Sequence, residues 1–303
     1  MDALNTLLAR QDSTEDPHGG FVFYHYEPSM AAAVIFVILF GLSTILHAVQ
    51  MSATRTWFMI PFLIGCLFET IGYIGRGMSA NENPGPYTLN PYIIQSVLLL
   101  VAPALFAASI YMELGRIVLM VEGERALFIR RTWLTKIFVS GDVLSFLMQS
   151  SGAGLLATAD SADSSDTGNT IIIAGLVLQV IFFGLFVIAA AIFHTSINKM
   201  PTVKCHSTPC KKHMVSLYIV SILIFIRSIV RVVEYAQGND GYIMAREAFL
   251  YIFDALVMWL AVVIMNWVHP SEVGAYLRGG KAFTKAWKLE DVDRLGVGSY
   301  SPA

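Results

Sequence analysis

Eleven ionisable side chains interrupt the long apolar stretches of this 303-residue chain. They are the acids Glu69, Glu113, Asp142, Glu234, Glu247 and Asp254, and the bases Arg76, Arg116, Arg227, Arg231 and Arg246. Charges in such surroundings pair with one another, line a water-filled path or bind something, because an unpaired charge near mid-membrane costs about 2.5–3.5 kcal/mol. Glu69, Asp142, Arg227 and Asp254 fall nearest the middle of their stretches. Left unpaired, these four together would cost on the order of 10–14 kcal/mol, which rivals the stability of a whole domain.

Their spacing sorts them onto faces. Glu69 and Arg76 are seven residues apart, and so are Asp142 and Gln149, Arg227 and Glu234, and Glu247 and Asp254. Seven residues make two helical turns, with about 20° of angular drift. Arg231 joins the Arg227–Glu234 face, being four residues after one and three before the other. Gln95 and Gln179 add polar groups in two further stretches. The expected site is a polar cavity or ion-paired core open toward the outside, lined by Glu69, Arg76, Gln95, Asp142, Gln149, Gln179, Arg227, Arg231, Glu234, Glu247 and Asp254. Within it, Glu69, Asp142, Glu247 and Asp254 are candidates for head-group or proton binding, with Arg76, Arg227 and Arg231 holding them ionised. Six acids against five bases favour an amine as cargo. Any single pair taken alone reads as a structural latch; the size of the constellation points to function.

The elements that position these residues are membrane helices. Only 14% of the chain is charged and 55% is hydrophobic, where a soluble domain carries about 25% charge. Seven apolar stretches, near 29–50, 57–79, 91–121, 134–158, 170–197, 213–236 and 245–268, can each supply the roughly 20 residues of a membrane span. The fold class is therefore all-α, a polytopic bundle of seven transmembrane helices. The third stretch is long and contains Pro103, which predicts a kinked helix extending beyond the bilayer. The segments 51–56, 122–136, 199–212 and 278–294 hold fourteen Lys and Arg, and the intervening ones only Arg10. That asymmetry puts the N-terminus outside and the C-terminus in the cytosol. The division expected is an extracellular polar segment over 1–28, the membrane domain over 29–270 and a largely disordered cytosolic tail over 271–303. The stretch 159–169 reads as a mobile outer loop. The first apolar run is expected to serve as its own insertion signal.

Several chemistries find no support. A retinal Schiff base needs a lysine deep within a span, and none lies there, Lys136 standing at the very edge of its stretch. Gly274–Lys281 approaches a phosphate loop but places Lys281 one position late. The histidines are scattered along the chain, and Cys205, His206, Cys210 and His213 read as an ordinary loop with reduced thiols more readily than as a metal site. No cofactor, metal or enzymatic activity is expected. Gly65, Gly72, Gly75 and Gly77, Ala104 with Ala108, and Ser151-Gly152-Ala153-Gly154 read as small residues that let helices approach.

The polar stripes also carry a resemblance. Glu69-x-x-Gly72-Tyr73-x-x-Arg76 resembles the most distinctive motif of the fungal lipid-translocating exporter family, the RTA-like family named for resistance to aminocholesterol. Similar patterns occur at Gln95, Ala102-Pro103-Ala104, Tyr111-Met-Glu-Leu-Gly115-Arg116, Asp142, Gln149-x-x-Gly152-Ala-Gly154, Gly175 and Gln179. They continue at Arg227-x-x-x-Arg231-x-x-Glu234-Tyr235-x-x-Gly238, Glu247, Tyr251-x-x-Asp254 and His269-Pro270. The match runs from about 30 to 275. Val230 departs from it, standing where an aromatic is expected, as does Ser271, where glycine is usual. The resemblance implies a multi-pass protein of the fungal plasma membrane. Its members are linked to release or flipping of sphingoid long-chain bases and phospholipids, resistance to toxic amphiphiles, and in one branch porphyrin uptake. The expected function is translocation of lipids or amphiphiles such as a sphingoid base, a phospholipid or a sterol-like amine. The alternative is a seven-helix sensor of membrane lipid state signalling through basic cytosolic loops. The expected partners are membrane lipids or amphiphilic small molecules and, through the tail, a cytosolic protein; nucleic acid is not among them.

Overall fold

A computed structural model describes Tyr24 and residues 26–82, 87–127, 130–157, 162–202, 204–205, 208–238, 241–244, 246–278, 281–282 and 289–290. All seven apolar stretches are helical. They form α1 (Met30–Thr54), α2 (Ile60–Asn81), α3 (Leu89–Met120), α4 (Arg131–Ala157), α5 (Ala162–Lys199), α6 (Cys210–Ala236) and a composite α7. The last begins as Glu247–Leu250, passes through a π-helical turn at Tyr251–Leu256 and continues as Val257–Trp267. Among the described residues six of the seven, all but α4, are long and apolar enough to cross a membrane. α4 is 27 residues long but carries Lys136, Asp142, Gln149 and the small-residue run 150–154. The chain is a multi-pass membrane protein whose membrane domain is all-helical.

The bundle is turned inside out relative to a water-soluble one. Ile35, Ile38, Leu42 and Ile45 of α1 and Ile181, Leu185 and Ile188 of α5 point outward, which only a lipid environment makes favourable. Each helix packs on the next in sequence, and α7 returns to α1. α3 sits at the centre, against α2, α4 and α6. It runs through Pro103 without a break. Glycines set the closest approaches: a Cβ on Gly65 would lie 2.6 Å from Phe106, and one on Gly72 2.7 Å from Leu99, so α2 lies against α3 where side chains are absent. Gly152 and Gly168 do the same for α4 and α5.

Two sequence expectations change. The stretch 159–169 is not a loop from Ala162 onward, because α5 starts there. Asp166 in its early turns complements the helix dipole, and Gly168 lets those turns sit directly on α4. Nor does chain after 270 leave the bundle at once. A short helix α8 (Ser271–Leu277) buries Val273, Gly274 and Ala275. Glu272 pairs with Lys212 at 2.9 Å, and Arg278 donates to the Thr54 carbonyl at 3.0 Å. Beyond it, β1 (Lys281–Ala282) pairs antiparallel with β2 (Leu289–Glu290). The expected polar segment over 1–28 lies outside the described residues up to position 23.

Candidate functional site

The site begins with one salt bridge. Arg227 on α6 donates Nε–H to Asp254 Oδ1 at 2.6 Å, and its Nη2 reaches the Leu99 carbonyl on α3 at 2.7 Å. Arg231, one turn on, donates to the other Asp254 oxygen at 3.1 Å and to Glu234 Oε2 at 3.1 Å. Asp254 thus holds two guanidinium groups, one on each oxygen. It sits in the π-helical turn of α7. Such a turn inserts an extra residue into the helical register and is found mostly at functional positions.

A second charged pair lies nearer the start of α7. Arg76 of α2 is fully buried and bonds to Glu247 at 2.6 Å. It also donates to the Tyr251 and Tyr26 hydroxyls, each at 2.9 Å. The segment leading into α1 closes over this pair. The Ser29 N–H donates to Glu247 at 2.8 Å, and the Tyr24 hydroxyl donates to Gln95 Oε1 at 3.0 Å. The rings of Tyr24, Tyr26 and Tyr251 lie 5.8, 5.5 and 5.1 Å from the guanidinium, distances at which a cation is attracted to an aromatic face. Burial raises the Tyr24 hydroxyl above its ordinary pKa, so it remains a neutral donor.

Glu69 occupies the core beside these groups with neither oxygen hydrogen-bonded. Of the four acids expected to be held by arginines, Glu247 and Asp254 form salt bridges with them, while Glu69 and Asp142 form none among the described residues. The α4 stripe also turns elsewhere. Asp142 lies beside the Tyr111 hydroxyl of α3, and Gln149 donates to Gln179 of α5 at 3.1 Å. The reason is rotational: seven-residue spacing fixes which residues share a face but not which neighbour that face meets. Glu113 and Arg116 lie apart from the site. Glu113 is buried 3.8 Å from His213, and Arg116 stacks on Phe58 at 3.9 Å. Among the described residues no cluster of His, Cys, Asp and Glu could hold a metal.

Two cavities adjoin. A polar one of about 80 Å³ is lined by Tyr26, Gln95, Arg231, Glu234 and Arg246 among others. An apolar one of about 220 Å³ lies between α3, α4, α5 and α6, with Ile93, Val97, Ala153 and Ile172 in its walls and Gln149 at its edge. Tyr92, Ser96, Leu100 and Tyr235 belong to both linings. A charged, aromatic-rimmed chamber thus shares a wall with a greasy one. That arrangement suits a molecule with a polar end and an apolar end.

The RTA1-like protein family model matches residues 62–276. The chain belongs to the RTA1-like family. Protoporphyrin uptake protein 1 of Saccharomyces cerevisiae is 40% identical over 294 residues, covering 84% of this chain and 93% of that protein. Protein RTA1 of the same yeast is 38% identical over 277 residues, covering 83% and 86%. A yeast protein named sphingoid long-chain base transporter RSB1 is 26% identical over 306 residues, covering 89% and 78%. No solved structure matches the chain. Glu69, Tyr73 and Arg76, all within the matched residues, lie in the α2 face that looks into the bundle.

Sequence reasoning missed the tyrosine cover, the π-turn and the place of Arg246 in the cavity lining. Tyr24 and Tyr26 belong to a segment read as a polar extension, although two aromatics so close to Pro28 were a signal. Nothing in the composition of 251–256 announces a π-turn. Arg246 precedes α7 and lines the polar cavity. Val230 lines a further small cavity with Phe249 and Phe253.

Proposed function

We propose that this protein translocates lipids or amphiphiles across a fungal plasma membrane, using the polar cavity for the head group and the apolar cavity for the tail. The observation that carries the reading is the shared wall of those two cavities, formed by Tyr92, Ser96, Leu100 and Tyr235. The names of the yeast relatives agree with it, since they refer to a sphingoid base transporter and a porphyrin uptake protein. Glu69 and Asp142 are the acids left without an arginine partner among the described residues, and Glu69, buried behind the cavity wall, is the one we assign to proton exchange. The arginines that hold Asp254 and Glu247 keep the surrounding helices in register.

In this reading α4 spans the membrane with the other six, giving seven spans, an outer N-terminus and a cytosolic C-terminus. The charge asymmetry of the loops supports that orientation, because an even number of spans would put both termini on one side.

The test is reconstitution into proteoliposomes with fluorescent long-chain bases, phospholipids and sterol-like amines. Movement above that in empty vesicles, lost in Glu69→Gln, supports the proposal. Absence of movement with every amphiphile, from folded protein, sinks it. A sensor reading draws on a different observation, the docking of α8 on Lys212 and Thr54. It would then be favoured.

A further inference from the structure

The charges around the polar cavity do not balance. Arg227 and Arg231 are matched by Asp254 and Glu234, and Arg76 is matched by Glu247. Arg246, which lines the cavity, has no carboxylate partner among the described residues; its guanidinium rests on the Tyr242 ring at 4.1 Å. Of the described charged side chains only Arg231, Glu234 and Arg246 line the cavity itself; Glu69 does not. One positive charge is left over where a head group would sit.

The uncharged groups point the same way. Tyr26 lines the cavity and accepts from Arg76 through its hydroxyl oxygen, which leaves its own proton to donate. Gln95 accepts from Tyr24 through Oε1, which leaves its amide N–H groups to donate. Neighbouring groups have thus drawn on the acceptor atoms of both side chains, while their donors remain. On Glu234, one oxygen is engaged by Arg231, and its charge is offset there. A donor-rich chamber with a surplus cation is complementary to an anion.

From this balance we infer that the polar cavity selects amphiphiles with an anionic head, a carboxylate or a phosphate, and that Arg246 is the residue that sets the selectivity. This rests on the amphiphile site proposed above and narrows it. It replaces the preference for an amine drawn from counting acids and bases along the spans. Of the eleven charges in that count, only Arg231, Glu234 and Arg246 line the polar cavity.

The experiment measures binding to the purified full chain in nanodiscs. The probes are one fluorescent acyl tail carrying a primary amine, a carboxylate or a phosphate. Wild type is expected to bind the carboxylate or phosphate probe roughly tenfold tighter than the amine, as one charge-assisted hydrogen bond allows. Arg246→Gln should remove that preference, Arg246→Glu should reverse it and Arg246→Lys should keep it. Arg246 is exposed and holds no carboxylate, so all three should unfold at the wild-type temperature. The two anionic probes tell carboxylate from phosphate recognition. Equal or tighter binding of the amine by wild type overturns the inference and leaves the amphiphile site standing. An anion preference that survives Arg246→Glu overturns the assignment to Arg246. Binding of no probe overturns both readings together.

Discussion

Arg227 and Asp254 are joined at 2.6 Å from two different helices, one regular and one broken by a π-turn. Arg227 is 1% exposed and Asp254 4%, so neither charge has water to fall back on. The pair fixes α6 to α7, and the Arg227 bond to the Leu99 carbonyl fixes both to the central helix α3. One side chain therefore ties three helices at the depth where the cavities open.

Replacing one member of this network is expected to cost more than replacing its unpaired neighbour. Asp254→Asn leaves Arg227 and Arg231 without a matching charge and should destabilise the bundle by about 3–5 kcal/mol. Glu69→Gln removes a carboxyl that has no hydrogen-bond partner and should change stability by less than about 1 kcal/mol. Thermal unfolding of the two variants in the same detergent checks the order. Equal losses would mean that Glu69 has a structural partner.

Close helix approach gives a second contrast within one short run. A Cβ at Gly152 would stand 2.7 Å from the Gly168 carbonyl oxygen and 2.8 Å from Ile172. Backbone cannot yield cheaply, so Gly152→Val should destabilise by about 1–3 kcal/mol and lower the yield of folded protein. A Cβ at Gly154 would meet nothing within 4 Å, so Gly154→Ala should be neutral or slightly stabilising. Size-exclusion profiles and unfolding temperatures read both.

These contrasts show how far periodicity reaches. Arg227, Arg231 and Glu234 were legible as one face because helical geometry puts them there, and they do meet in one network with Asp254. Their partners on other helices were not legible. Relative rotation and depth of two helices depend on packing at sites such as Gly72 against Leu99, which leaves no repeat in the sequence. Arg76 accordingly pairs with Glu247 and not with Glu69 on its own helix. Asp142 looked equivalent to Asp254 by spacing, yet it meets Tyr111. The small-residue reading was right for Gly152 and had no means of excluding Gly154, because both belong to one run of small residues. The seven helices were the easiest part, since a run of some 20 apolar residues has few other fates.

The tail offers a prediction that separates the two functional readings. Arg278 and Glu272 hold α8 against α1 and α6, so a deletion starting at 278 would remove a structural contact along with any signalling segment. A stop after Arg278 keeps α8 docked and removes only the residues beyond that contact. A translocator should retain its transport rate within about twofold, whereas a sensor should lose its output. Transport in vesicles and the cellular response to added amphiphile measure the two separately.

The apolar cavity makes the most direct prediction about cargo. Ala153 lies in its wall and its side chain is exposed to the space. The cavity holds about 220 Å³, so a phenyl ring on Ala153 can enter it without displacing backbone. Filling a pre-existing void does not carry the strain of overpacking a full one. Ala153→Phe should therefore leave the unfolding temperature unchanged or raise it, while blocking the space for a tail. Transport of long-chain amphiphiles should fall by tenfold or more, and short-chain analogues with the same head should be much less affected. That chain-length dependence is the decisive reading. If long and short chains lose activity equally, the substitution acts on the head-group chamber or on helix motion. If neither loses activity, the tail travels along the lipid-facing surface and the cavity is not part of its path.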